Sequence, residues 1–336
     1  MNERNSPDRP PSRFRSDFST VSTPNATVPA KSGADGVLVI DKPVGWTSHD
    51  VVAKVRNLTR IKKVGHTGTL DPFATGVLPL TLGRATRLTN YFLSSDKVYR
   101  GAMRFGFATD TFDIDGERTS EETSPPLERA RLEEIFARYV GTVEQTLPPY
   151  SAKKVRGKPL YSYARRGIKM ESGTKQVRIH FLRLIGIEGS EVEFELGCAA
   201  GTYARSLAHD VGRDYGCGAH LVRLCRTRSG EFPISGAMTL VHGTEFAGRE
   251  SLLERVIPLR SLLLEIPAIV LSSGDKGRVL HGMDLNLLTS SAQAKEYRLL
   301  DEAGELVAIA ERIQTFASPV AQPAHWVRIH PRIILG

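Results

Sequence analysis

The chain has 336 residues, 40% hydrophobic and 24% charged, a globular composition with room for one large domain and a smaller one. It holds no apolar run of about 18 residues and no apolar signal segment at its start, so neither a membrane span nor secretion is expected. Three cysteines, Cys198, Cys217 and Cys225, without C-x-x-C spacing speak against a disulfide framework or zinc knuckle and for a reducing, cytoplasmic compartment.

Residues 1–34 contain five Pro and six Ser and no periodic apolar pattern, and read as a disordered arm. Gly36–Asp41 reads as a buried strand. Thr47 or Ser48 caps a helix running to about Arg60, with Val51, Val55 and Leu58 on one face. A short strand near Lys63–Thr67 enters a Gly/Thr-rich loop, followed by a helix near Thr86–Ser94 and a strand from Lys97 to Phe107. Leu132, Phe136 and Tyr139 mark the core side of a helix from about Leu127 to Tyr139. Strands at Val177–Ile187 and Glu191–Cys198 precede a helix from about Arg205 to Tyr215, stopped by Gly216. This irregular alternation predicts a mixed α+β domain on an extended sheet over residues 35–258. Beyond it, Tyr297–Leu300, a turn at Asp301–Gly304 and Glu305–Ala310 read as a hairpin. Residues 262–336 then form a small, mostly β module in which no residue looks catalytic.

The densest segment is Gly65–Pro79, GHTGTLDPFATGVLP. Asp71 before Pro72 suits a helix start, where the carboxylate caps free amides and proline takes the first helical position. Gly65, Gly68 and Gly76 within twelve residues imply unusual dihedrals or something packed against the backbone. The lysine and spacing of a nucleotide-binding P-loop are missing. Thr111, Asp113, Asp115, Gly116 and Glu122 fall on the spacing of a calcium loop, but Thr stands first and the preceding segment reads as strand. A turn whose acids face solvent or pair with a site arginine is the better reading, and no metal is expected.

The net charge is +8, and its distribution indicates the partner. Residues 147–170 hold Lys153, Lys154, Arg156, Lys158, Arg165, Arg166 and Lys169 and not one acid, with Tyr150, Tyr161 and Tyr163 interleaved. Basic side chains grip phosphates, and aromatic faces stack on unpaired bases for about 1–3 kcal/mol each. A nucleic acid is the expected partner. Further on, Gly201-Thr-Tyr-Ala-Arg205 sits where a strand meets a helix. Gly216–Arg228 alternates apolar and basic residues, as in a strand with one charged face.

In order along the chain, these segments resemble the TruB family of tRNA pseudouridine synthases. The matching features are Gly36–Asp41 with Lys42-Pro43, GHTGTLDPFATGVLP, Lys97-Val-Tyr-Arg100 and Thr109-Asp-Thr-Phe-Asp-Ile-Asp-Gly116. Tyr150-Ser-Ala-Lys153, Tyr161-Ser-Tyr-Ala-Arg165, Gly201-Thr-Tyr-Ala-Arg205 and Gly216-Cys-Gly-Ala-His220 complete the set, over about residues 36–235. The resemblance implies a pseudouridine-synthase domain with its cleft across the sheet and a PUA-like C-terminal RNA-binding module. It implies action on the T-loop uridine at tRNA nucleotide 55, flipped out of its stack, with Asp71 as nucleophile and no cofactor, since bonds only exchange. By motif position, Arg205 pairs with Asp71, Tyr99 is the general base or stacking face, and His66, Tyr203 and Leu224 line the uridine pocket. Lys153, Lys154, Arg156, Lys158, Arg165 and Arg166 would hold the RNA backbone. Ala199-Ala200 departs from the Ser-Lys common in the family, leaving a basic contact near the cleft to another segment. Two rival readings are a tRNA-folding chaperone and a guide-RNA-dependent synthase acting on ribosomal RNA. The absence of a long Lys-rich tail favours stand-alone action, with a monomer as the default.

Overall fold

The computed structural model describes residues 34–148, 154–155, 158–159, 173–242, 245–316 and 325–336. Apart from Ala34, the N-terminal arm lies outside the described residues. The strands are β1 (Gly36–Lys42), β2 (Val64–His66), β3 (Thr75–Leu82), β4 (Lys97–Phe105) and β5 (Gly141–Thr146). The two-residue β6 (Lys154–Val155) and β7 (Lys158–Pro159) follow, then β8 (Thr174–Glu188), β9 (Glu191–Cys198) and β10 (Ala219–Ser229). Across the main sheet the order is β1-β3-β10-β4-β9-β8-β5. Neighbours are antiparallel except β3 and β10, which run parallel. Met238–Thr239 adds a parallel edge beyond β1.

Helices α1 (Ser48–Thr59), α3 (Arg129–Arg138) and α4 (Ala204–Tyr215) cover one face of this sheet; the short α2 spans Thr89–Leu93. Val51 and Val55, Leu132 and Phe136, and Leu207 and Val211 meet Leu38, Leu78, Phe194 and Leu196 in one core. Helical spacing and strand alternation put those apolar side chains on facing surfaces, and burying each is worth about 1.5–3 kcal/mol. Local chemistry sets the ends of the helices. A capping box between Thr47 and Asp50 starts α1, and Gly216, at φ +93°, ends α4 in the left-handed region that glycine adopts freely.

Two segments differ from the sequence reading. Asp71-Pro72 opens a turn within the Gly/Thr-rich loop, closed by the Ala74 amide on the Asp71 carbonyl (3.1 Å), and the chain continues as strand β3, an element the sequence reading does not contain. β3 escaped the periodic reading because Pro79, which cannot donate to a ladder, sits within it opposite Val39. The segment expected as a helix from Thr86 is a 3₁₀ turn, Gly83–Leu88, followed by α2.

The C-terminal strands Ala268–Val270, Glu296–Leu300, Leu306–Thr315, His325–Ile334 and Leu285–Thr289 form a second sheet, neighbours in that order. It has its own core around Tyr297, Leu299, Ala308, Val327 and Ile329. A third cluster joins it to the main sheet: Val37, Val39, Val77, Leu88 and Phe92 pack with Leu306, Ile309 and Leu335. Arg84 donates to the Leu335 carbonyl (2.8 Å), and the Tyr91 hydroxyl donates to Glu296 (2.6 Å) across the same junction. Among the described residues no helix is long and apolar enough to cross a membrane.

Candidate active site

A cleft of about 280 Å³ opens where the start of β4 and the end of β10 meet the Gly68–Asp71 loop and the N-terminus of α4. Asp71, Tyr99, Tyr203, Arg205 and Leu224 all line it. Asp71 is 35% exposed towards this space, whereas the Arg205 side chain is 7% exposed, so the carboxylate faces the cleft and the guanidinium lies behind it.

Arg205 holds Asp71 at two points, Nε to Oδ2 at 2.9 Å and Nη2 to Oδ1 at 3.3 Å. Its Nη1 turns the other way, to the carboxylate of Asp113 (3.4 Å) and the carbonyl of Thr111 (3.3 Å). The planar guanidinium fork suits this arrangement, and the buried cation is matched by two carboxylates. Asp113 is 7% exposed; burial raises its carboxyl pKa, while Thr111 and Arg205 act to lower it. Among the described residues, Asp71 and Asp113 are the carboxylates on Arg205, and of these Asp71 faces the cleft.

Tyr99 is half-buried, and loss of solvent raises its hydroxyl pKa while nearby Arg226 opposes the rise. The residue is therefore a protonated phenol at neutral pH. Arg226 overturns the expectation of one charged strand face on β10. Arg223 and Arg228 are exposed, but Arg226 is 1% exposed and lines the cleft. Its Nε donates to the Val77 carbonyl (2.7 Å) and its Nη2 to the Gly68 carbonyl (3.1 Å). The motif glycines make room for it. A Cβ on Gly76 would stand 2.3 Å from the Arg226 carbonyl oxygen, and one on Gly68 3.4 Å from its Nη1.

Three further buried side chains, of which Lys97 lines the cleft, brace the segments around it. Lys42 donates from Nζ to the carbonyls of Pro43 (2.9 Å), Trp46 (2.6 Å) and Pro72 (3.3 Å), tying the β1–α1 connection to the Asp71 turn. Burial pushes its amine down to about 8, against the pull of Asp71. Lys97, also lowered to about 8 by burial, caps the carbonyls of Phe92 (3.3 Å) and Leu93 (2.8 Å) at the cleft rim. Gln145 clamps the backbone of Tyr203 from both sides, donating to its carbonyl (2.9 Å) and accepting from its amide (2.8 Å).

His66 is not part of the cleft lining. It accepts from the Gly68 amide (3.4 Å) and packs edge-on against His49, with ring centroids 5.4 Å apart. Burial, and then nearby His49, lower its pKa. At Ala199-Ala200, Ala199 lines the cleft, and the amine of Lys175 reaches the neighbouring Gly201 carbonyl (3.4 Å). Lys153, Arg156, Arg165 and Arg166 lie outside the described residues, as do the side chains of Lys154 and Lys158. Among the described residues, no group of three His, Cys, Asp or Glu side chains is arranged to hold a metal ion.

Arg226, Gln145, Lys42 and Lys97 were not among the residues expected to build the site. Lys42 and Lys97 lie inside the Lys42-Pro43 and Lys97–Arg100 motifs, and Asp113 inside the Thr109–Gly116 segment. Gln145 carried no local signal at all.

Comparison with known proteins fits this geometry. Residues 56–204 match the model of the TruB family pseudouridylate synthase N-terminal domain, and residues 205–266 that of the tRNA pseudouridylate synthase B C-terminal domain. The chain is 42% identical over 279 residues to tRNA pseudouridine synthase B of Solibacter usitatus, covering 82% of this chain and 95% of that one. With the same-named protein of Symbiobacterium thermophilum it shares 45% over 257 residues, covering 76% and 84%. A chain in the crystal structure of a Cbf5-Nop10-Gar1 complex superposes with a TM-score of 0.66 at 25% identity, covering 90% of this chain and 85% of that one. The chain belongs to the TruB family of pseudouridylate synthases.

Proposed function

We propose that this protein isomerises a uridine of tRNA to pseudouridine, acting on the T-loop uridine at nucleotide 55 with Asp71 as the nucleophile. One observation carries the reading: a cleft-facing carboxylate held at two points by a buried guanidinium, beside a tyrosine ring and an apolar floor. In the reaction the N1–C1′ bond breaks, the uracil turns, and C5 bonds to C1′. Asp71 adds covalently, at C1′ or at C6, and is expelled again, so the carboxylate is regenerated. Arg205 aims it from behind, at two points, without occupying the open side.

A stacked uridine reaches such a cleft only by flipping out, at a cost of a few kcal/mol. Tyr99 supplies a stacking face, Leu224 the floor, and Tyr203 a further wall, while His66 fills the gap left in the RNA. N1, freed from C1′, gains a proton and C5 gives one up. As a protonated phenol, Tyr99 relays this exchange, accepting the departing proton (from C5 or from C2′, by route) at its oxygen while releasing its own towards the uracil. The basic segment over residues 147–172 grips the RNA backbone, and the C-terminal sheet is a PUA-like RNA-binding module. The domain division at residues 258–262, and action as a cytoplasmic monomer without a guide RNA, belong to the same proposal.

The test is incubation of the purified protein with one unmodified tRNA transcript, followed by mapping of pseudouridine. Modification at the T-loop uridine with no RNA present besides that transcript is the expected result. Binding without turnover, or turnover only with a guide RNA, would overturn the proposal.

A further inference from the structure

α4 carries Arg205 and, one turn further on, His209, so both side chains leave the helix on the same side. Both meet the Thr109–Asp113 turn. Arg205 binds its Thr111 carbonyl and its Asp113 carboxylate. The His209 ring stacks on Phe112, with centroids 3.9 Å apart and planes 21° from parallel. Phe112 stands at φ +66°, the left-handed region, which a bulky side chain occupies only when its surroundings hold it there. The residue after it is Asp113. Phe112 also accepts the Leu221 amide at 3.0 Å, so the backbone is pinned to β10 on one side while the ring is pinned by His209 on the other.

The imidazole acts here through its face. Its buried Nδ1 has no hydrogen-bond partner among the described residues. Burial, and then Arg213, hold its pKa down, which leaves a neutral ring suited to stacking.

We propose that His209 is a positioning residue for the reaction: stacked on Phe112, it holds the strained turn that presents Asp113 to Arg205, and thereby fixes the guanidinium that aims Asp71. The inference rests on the reading of Asp71 as nucleophile. It assigns His209 no contact with the RNA or the reacting atoms.

The test compares three substitutions in single-turnover and steady-state assays on a tRNA transcript, with melting temperatures measured in parallel. His209→Ala, which removes the stacked face, is expected to lower kcat by about tenfold with KM within about twofold, since small misplacements at a site cost rate rather than binding. His209→Phe keeps an aromatic face and is expected to retain the wild-type rate. His209→Leu fills the space without stacking and is expected to follow alanine. Should the alanine variant fail to fold, the Phe–Leu comparison decides. A wild-type kcat for His209→Ala, or equal rates for the Phe and Leu variants, overturns the inference. Asp71→Asn, run beside them, separates the two readings. If it is dead while His209→Ala is fully active, only the positioning role fails; if it turns over normally, the nucleophile assignment fails first.

Discussion

Arg226 on β10 stands directly across the ladder from Tyr99 on β4, so a buried guanidinium and a phenol share one wall of the cleft. The pairing depends on one surplus residue. Arg226 opposes Tyr99 and Arg228 opposes Val98, leaving Thr227 as a bulge that turns Arg228 to the other face. Arg226 thereby ties β10 to β3 through Val77 and to the Asp71 loop through Gly68.

Replacing this arginine tests the tie. Arg226→Met leaves the carbonyls of Val77 and Gly68 unpaired, each worth about 1–3 kcal/mol when buried. A stability loss of about 2–4 kcal/mol is expected in urea unfolding, together with a loss of turnover. An unfolding midpoint equal to wild type would show that the two hydrogen bonds do not hold the cleft.

Asp71→Asn is nearly isosteric and cannot form the covalent ester. Turnover should vanish, while tRNA binding, measured by filter retention, stays within about threefold because the phosphate contacts dominate affinity. Activity close to wild type removes Asp71 from the mechanism.

Tyr99→Phe keeps the ring and deletes the hydroxyl. If the phenol relays a proton, kcat falls by about 10²–10⁴ with binding little changed. Tyr99→Ala should weaken binding as well, by the stacking contribution of about 1–3 kcal/mol. Equal kcat for wild type and Tyr99→Phe would reduce the residue to a stacking surface.

Asp210 on α4 gives a pH signature. Burial pushes its carboxyl up to about 6, against the pull of Arg213 at 3.0 Å. The folded chain therefore holds that proton more tightly than the unfolded one. The resulting stability is full below 3.8 and is lost as pH climbs through about 6. Asp210→Asn should gain on wild type between about pH 4 and pH 7, by at most about 3 kcal/mol. Parallel denaturation curves at every pH would contradict this.

For the RNA grip, Lys153→Ala combined with Lys154→Ala should make the dependence of log affinity on log salt shallower by up to about two units. An unchanged slope would mean that this stretch does not touch phosphate.

Much of the architecture was legible one segment at a time. The Thr47 cap, the stop at Gly216 and the apolar spacing of α1, α3 and α4 are local signals, decided by residues within a turn of one another. β3 was hidden because Pro79 contradicts the local rule for a strand, and only pairing with β1 and β10 overrides it. The turn at Asp71 was equally ambiguous, since Asp-Pro starts helices as readily as it closes loops.

Residue types and their order were enough to single out Asp71, its glycine-rich surroundings and the family. They could not say that Arg226 is buried while Arg228, two residues on, is not, because alternation is broken between them by a bulge seen only in the ladder. Nor could they say that Asp113 is sealed while Asp71 is open. That contrast depends on a guanidinium 134 residues further along the chain being set between the two carboxylates. Short-range chemistry is written in neighbouring side chains. Burial and charge pairing at the site arise from strands and helices far apart in the chain, so they exist only once the sheet is closed.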